Sequence, residues 1–322
     1  MYAQVVVLTY QPPEIDSYTY EIPKSLNAKI GQLVSVPFGK RNPQGIILSI
    51  NSRHPGGSET TDRISRSDSI DPSGLQNDKV LKIKPINSIL LDQPIFLPYQ
   101  IELLKWMSAY YIAPMANCVK AILPELPSKS KIVNSKWKES IHLDPQSEGR
   151  GSHGSVYSPF TIHQTLVLVP NIDRIPETLA NFPQAKNYVL YHNQLKTSEK
   201  FAAWQKILSG GCDFIFGSRL AIFTPCPNLK KIIIFDEHDG AYKDERSPYF
   251  DTLTIAEKIS ELTKSKIEII DLSPRVTTYH LFRHSGDERS RRLRVKSKSE
   301  NSRIKQIRFW TGQNDKALTV PT

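Results

Sequence analysis

Residues 230–243, KKIIIFDEHDGAYK, confine the chain to a narrow set of folds. Ile232, Ile233, Ile234 and Phe235 make a short, unbroken apolar run rich in β-branched side chains. That pattern suits a central strand covered on both faces. Open sheets built from such strands keep their chemistry at the strands' carboxyl ends. Asp236, Glu237, His238 and Asp239 follow at once. A nucleotide-driven motor holds its Mg²⁺ carboxylate and its water-activating acid at this place. A solvated loop after a core strand has the same composition, so the flanking sequence has to separate the two readings.

The surroundings predict a parallel sheet. From residue 161 the chain alternates strand and helix: QTLVLVP, then DRIPETLANF; NYVLYH, then SEKFAAWQKILSG; CDFIFGS and KKIIIFDEHD, then SPYFDTLTIAEKISELTKS; and KIEIIDLSP. In SEKFAAWQKILSG the apolar positions 201, 204, 207 and 208 follow a helical period, and Gly210 closes the helix. Alternation of this kind implies helices on both faces of a parallel sheet.

The first part of the chain follows a different period. AQVVVLTY reads as a strand, and DSYTYEIP alternates, with Tyr18, Tyr20 and Ile22 on one face. IGQLVSVPFGKRNPQGIILSI reads as two strands joined by a turn around Gly39 to Gly45. A small twisted sheet or partly closed barrel fits. VLKIKPINSILL resumes as a strand. Two short helices follow, at PYQIELLKWMSAYY and IAPMANCVKAILP.

Between these parts lie stretches too polar to bury a core. Residues 53–79 are predicted to be a disordered insertion, 126–160 a linker, and the basic stretch 285–322 a disordered tail with room for a short ordered piece at IKQIRFW. The domains expected are therefore 1–125 and 161–284. Lys and Arg exceed Asp and Glu by ten, 42 against 32. A basic chain of this size is a candidate for nucleic acid binding through phosphate contacts. Residues 283–308 hold ten of the basic residues against three acidic ones, so much of that charge belongs to the tail. Cys118, Cys212 and Cys226 include no CxxC pair, which argues against disulfides and against a thiolate zinc site. No apolar run reaches the about 18 residues of a membrane span. No signal peptide is apparent either, so a cytoplasmic location without membrane contact is expected.

Several runs, in the right order, resemble the PriA (primosomal protein N′) family of replication-restart helicases. GQLVSVPFGKRNPQGIILSI, SYTYEIP, KPINSILLDQPIF and YYIAP resemble its N-terminal 3′ DNA-binding domain. LVPNIDRIPET, the run from FAAWQKILSGG through GSRLAIFTP to IIIFDEHDGAYKDE, and IEIIDLSPRVTT resemble motifs of its first helicase lobe. The resemblance implies an α/β chain: a small β-rich N-terminal DNA-binding domain followed by a partial RecA-like parallel α/β lobe. It implies DNA as partner, at a fork or a single-stranded 3′ end, and other primosome proteins beside it.

The resemblance also implies the site residues. The family's aromatic–acid pair falls on Tyr18 and Thr19, so the acid is lost. The pocket glycine falls on Gly39, flanked by Phe38 and Lys40, and the pocket lysine falls on Lys84. Arg219 falls in a loop that faces DNA in the family. Each has a plain structural reading as well: a sheet-face aromatic, a turn glycine, surface cations.

The departures lie in the ATPase motifs. No GK[ST] occurs in the sequence, and the nearest remnant of a phosphate loop is GRGSHGSVY at 149–157. Aligned on HD and YK, motif II is degenerate: Phe235 takes the metal-ligand position, followed by Asp236, Glu237 and His238. Ser273, Pro274 and Arg275 stand where the family has Ser-Ala-Thr. The second lobe and the winged-helix domain have no counterpart. No catalytic residue is therefore assigned, and ATP, Mg²⁺ and zinc are not expected. Three functions stay open: a DNA-binding protein without ATPase activity, a 3′–5′ helicase subunit whose partner chain supplies the P-loop and second lobe, or a truncated product without function.

Overall fold

The computed structural model describes residues 1–9, 15–52, 83–124, 126, 163–271, 275–276 and 278, and the backbone of 293–298 and 304–305. The expected insertion at 53–79, the remnant at 149–157, and Ser273 and Pro274 lie outside these residues, as does nearly all of the linker. The chain divides into two units. One comprises Met1–Pro124 with Asp244–Phe250, and the other comprises Glu125–Lys243 with Asp251–Thr322.

The first unit is built on an antiparallel sheet of five strands, β1 (Tyr2–Val7), β2 (Tyr18–Glu21), β3 (Leu33–Ser35), β4 (Gln44–Asn51) and β5 (Ser88–Ile89), in the order β2-β1-β4-β3-β5. Alternation decides its faces. Ala3, Val5, Val7, Tyr20, Ile22, Val34, Val36 and Ile47 point into one core, as the period-two pattern of DSYTYEIP predicts. Among the described residues of the expected strand VLKIKPINSILL, two pair as β5. The rest of that segment closes the sheet. Glu21 N–H donates to Lys84 O and Ile86 N–H to Glu21 O, while Asn87 and Leu90 N–H donate to Ser35 and Leu33 O. Residues 84–90 thus bond both to β2 and to β3, and Ile86 plugs the seam at 2% exposure. Of the two shapes that fit the sequence, a small twisted sheet or a partly closed barrel, this is the second.

Helix α1 (Pro98–Tyr110) starts with proline in its first turn, and Leu97 N–H donates to Gln100 Oε1 at 2.9 Å. Its buried stripe is Ile101, Leu103, Leu104 and Met107. Helix α2 (Met115–Ile122) follows and buries Cys118 and Val119.

In the second unit β6 (Gln164–Leu168), β7 (Tyr188–Tyr191), β8 (Phe214–Gly217), β9 (Leu229–Phe235) and β10 (Lys266–Ile270) pair in parallel, in the order β7-β8-β6-β9-β10. Helices α3 (Ile175–Ala180), α4 (Thr197–Leu208) and α5 (Thr252–Thr263) connect them. Trp204 and Ile207 of α4 are fully buried, as their helical spacing predicts. From β6 the chain moves toward β7, and from β9 it moves the other way, to β10. The switch point therefore lies between the carboxyl ends of β6 and β9, the usual position of a ligand crevice in such sheets.

In the tail the expectation of disorder is corrected at 293–298, while the strand at 304–305 falls at the start of IKQIRFW. The backbone of β11 (Leu293–Lys298) pairs in parallel with β10, and β12 (Ile304–Lys305) pairs antiparallel with β11. The alternation in LRVKSK suits a strand.

Candidate nucleic-acid interface and the acidic loop

In the first unit the residues singled out fall in three places. Tyr18 sits opposite Val5 on the core face of β2, and its ring meets Phe38 edge-on, with centroids 5.2 Å apart. Burial pushes the Tyr18 hydroxyl above its ordinary pKa. Phe38 and Arg41 exchange both backbone hydrogen bonds, at 2.9 and 3.0 Å, around a two-residue turn. Gly39 takes the first central position with φ +59, as a type II′ hairpin requires. A Cβ there would meet nothing within 4 Å, so the conformation, not crowding, calls for glycine. Lys40 and Arg41 are exposed at the tip. Tyr18, Phe38 and Gly39 thus form one corner, an aromatic pair under a basic turn.

Thr19 is not part of that corner. Neighbours on a strand face opposite ways, and Thr19 lies opposite Gln4. Gln4 Nε2 donates to Thr19 Oγ1 at 3.0 Å, and Ser17 Oγ donates to Gln4 Oε1 at 3.2 Å. Ser17, Gln4 and Thr19 make a neutral polar triad on the other face. Sequence reasoning missed Gln4 and Ser17, although alternation along β2 places positions 17 and 19 together. Lys84 is exposed at the barrel seam, its carbonyl bonded to Glu21 N–H. Glu21 is three residues from Tyr18, roughly 10 Å along the strand at about 3.4 Å per residue.

In the second unit the acidic loop is engaged by the protein's own groups. Phe235 is 4% exposed and lies in the core with Val167, Phe216 and Ile270. Asp236 follows at φ +50, a conformation that aspartate tolerates better than most residues. Its Oδ2 accepts from Arg174 Nη1 at 3.1 Å. Glu237 is 1% exposed; Oε1 accepts from the Arg275 N–H and Oε2 from the Thr278 hydroxyl, both at 2.8 Å. Burial raises the Glu237 pKa, and these two hydrogen bonds oppose the rise. His238 Nδ1 lies 2.8 Å from both carboxylate oxygens of Asp271, which is fully buried. The hydrogen bond to Asp271 raises the His238 pKa. Arg275 Nη1 also binds Asp251 Oδ2 at 2.7 Å, and Asp251 caps α5 through the N–H groups of Leu253 and Thr254. Arg219 is half-buried and donates from Nη1 to Ala241 O at 3.2 Å.

Asp271, Arg174 and Thr278 were not foreseen. Asp271 was within reach of sequence reasoning, because it directly follows β10, beside the strand that leads into the acidic loop. Arg174 was not, since its partner is 62 residues away. Among the described residues no group of three or more His, Cys, Asp or Glu is placed to hold a metal. The three cysteines are buried and free, their thiols raised by burial to about 12, 11 and 12 for Cys118, Cys212 and Cys226.

Residues 5–124, the whole of the barrel and its two helices apart from the first four residues, match the PriA family's 3′DNA-binding domain (3′BD). The chain is similar to the PriA replication restart proteins over much of its length. It is 24% identical to the replication restart protein PriA of Rickettsia conorii over 293 residues, which cover 81% of this chain and 41% of that one. The PriA of Synechocystis is 29% identical over 148 residues, 45% of this chain and 18% of its own length. The Bacillus subtilis protein is 31% identical over 118 residues, 36% and 15% of the two chains. The chain thus spans less than half the length of these curated relatives. Tyr18, Phe38, Gly39, Lys40 and Lys84 all belong to the PriA-type 3′ DNA-binding domain, and Asp236, Glu237 and His238 lie outside it. Among the described residues no helix is long and apolar enough to cross a membrane.

Proposed function

We propose that this chain binds forked DNA or the 3′ end of a single strand through its first unit and does not hydrolyse ATP. One observation carries the reading: residues 5–124 match the PriA 3′DNA-binding domain. The corner at Tyr18 and Phe38 offers an aromatic surface for a base, and Lys40 and Lys84 offer charge for phosphate, both tolerant of sequence. With threonine in place of the acid, the polar triad Ser17–Gln4–Thr19 presents only neutral groups on the opposite face.

The second unit supports the negative half. A Mg²⁺–nucleotide does not fit the donors present. Asp236 is neutralised by Arg174 across the switch-point crevice, and both Glu237 oxygens already accept hydrogen bonds. Phe235 turns into the core, and the sequence carries no phosphate loop with GK[ST]. This unit then acts as a scaffold or docking module for other replication-restart proteins, in the cytoplasm.

Fluorescence anisotropy on forks with and without a 3′-OH at the leading-strand end, run beside an ATPase assay, tests the proposal. Tighter binding to the fork with the 3′ end is expected, lost in Tyr18→Ala with Lys84→Ala, with no DNA-stimulated ATP cleavage. Equal binding to both forks, or turnover of ATP by the purified chain, overturns it.

A further inference from the structure

The exposed end of α1 carries an aromatic cluster apart from the Tyr18 corner. The buried stripe of α1 is Ile101, Leu103, Leu104 and Met107. Glu102, Trp106 and Tyr110 form a separate column at i, i+4 spacing. Trp106 and Tyr110 stack with centroids 4.7 Å apart and planes 22° from parallel. Tyr111 meets both rings edge-on, at 6.0 and 4.9 Å. Tyr110 keeps 58% of its surface in solvent, and the neighbouring Ile112 keeps 92%. Ile112 also has φ +49. A β-branched side chain in that region is strained, and such strain persists where the surroundings impose it, often at binding sites.

We propose that Trp106, Tyr110 and Tyr111, with Ile112 beside them, are a stacking platform for the unpaired bases of a nucleic-acid strand. The inference rests on the DNA-binding reading of this unit but assigns a surface apart from the 3′-end corner. Three features favour an unpaired strand. A near-parallel ring pair that ends in an exposed tyrosine extends naturally by one more flat ring, and base–aromatic stacking ignores sequence. The Lys105 ammonium binds Glu102 at 2.8 Å, at the head of the Trp106 column. Both partners are exposed, so that ion pair is worth little and is easily exchanged for a phosphate. Finally, the patch is small. Fully buried aromatics contribute about 150–250 Å² each, and two of these rings are already half-buried, so the cluster falls short of the roughly 800 Å² per partner of a stable protein interface.

The test uses the whole chain and three DNAs: a circular oligo-dT without ends, a linear oligo-dT with a 3′-OH, and a blunt duplex. Tyr110→Ala is expected to weaken binding to circle and linear strand alike, by about tenfold, and to leave duplex binding unchanged. Tyr110→Phe, which keeps the ring, should bind as the unaltered chain does. Tyr18→Ala should affect only the linear strand; absence of any advantage for the 3′-OH in the unaltered chain would sink the 3′-end corner and leave the platform standing. The platform is overturned if Tyr110→Ala binds the circle normally, if it loses duplex binding equally, or if its only effect is on association with protein.

Discussion

Arg174 and Asp236 meet at the carboxyl end of the parallel sheet, where the strand order reverses, Nη1 to Oδ2 at 3.1 Å. One follows β6 and the other follows β9, so the pair fills the position at which such sheets receive a ligand. The side chain of Asp236 is 12% exposed. Arg174→Ala should leave it without its charged partner and destabilise the second unit by about 1–2 kcal/mol. Adding Asp236→Asn should restore most of the loss, because asparagine carries no charge and tolerates the left-handed backbone. Urea midpoints of the two variants give the answer; equal midpoints for Arg174→Ala and the unaltered chain would show that the pair contributes nothing.

Gly39 should resist replacement for a conformational reason alone. Its φ is +59 and the space around it is open. Gly39→Ala is expected to cost about 1–2 kcal/mol and Gly39→Asn less. Because the turn holds Phe38 against Tyr18, the alanine variant should also bind 3′-ended DNA more weakly. Thermal unfolding and anisotropy on the same samples check both statements.

Much of this fold was legible in local patterns. Alternation marked the barrel strands, apolar runs marked the parallel strands, and helical spacing marked the burial of Trp204. What escaped depends on partners distant in sequence. Nothing around Pro85 announces that residues 84–90 bond to two strands at once and close the barrel. Nothing in SPYF announces that Asp244–Phe250 belongs with the first unit. The site was legible in part. Aligning on HD and YK placed Phe235 at the metal position, and its core environment agrees with an apolar role. Tyr18 and Thr19 were carried together as one pair, although the pleat of a strand sends neighbours to opposite faces.

Glu237 presents a buried carboxylate with both oxygens occupied. Burial raises its folded pKa above the unfolded value. A raised pKa means that its contribution to stability is fully present below about 4.5 and falls as pH rises through the folded value. At neutral pH the charged form therefore carries a cost. Glu237→Gln removes the charge and keeps the oxygen that accepts from Arg275 N–H, so it should be neutral or mildly stabilising at pH 7. Glu237→Ala strands Thr278 and the Arg275 N–H and should destabilise by about 1–3 kcal/mol. If the glutamine variant proves as damaging as the alanine one, the negative charge itself is required.

His238 gives the second unit a dependence on pH in a window of its own. The ring is more than half exposed, but Nδ1 lies 2.8 Å from both oxygens of the fully buried Asp271. That contact raises the folded pKa above 6.5. The groups facing the ring from the same loop, Asp236 and Asp239, act in the same direction. A group raised in this way contributes stability that is complete below about 6.5 and is lost as pH climbs through the folded value. The urea midpoint should therefore decrease as pH rises above about 6.5. In His238→Gln no imidazolium exists to be lost, so the same titration should be flatter. Identical slopes for the two proteins would mean that the charge on His238 does not stabilise the end of β10.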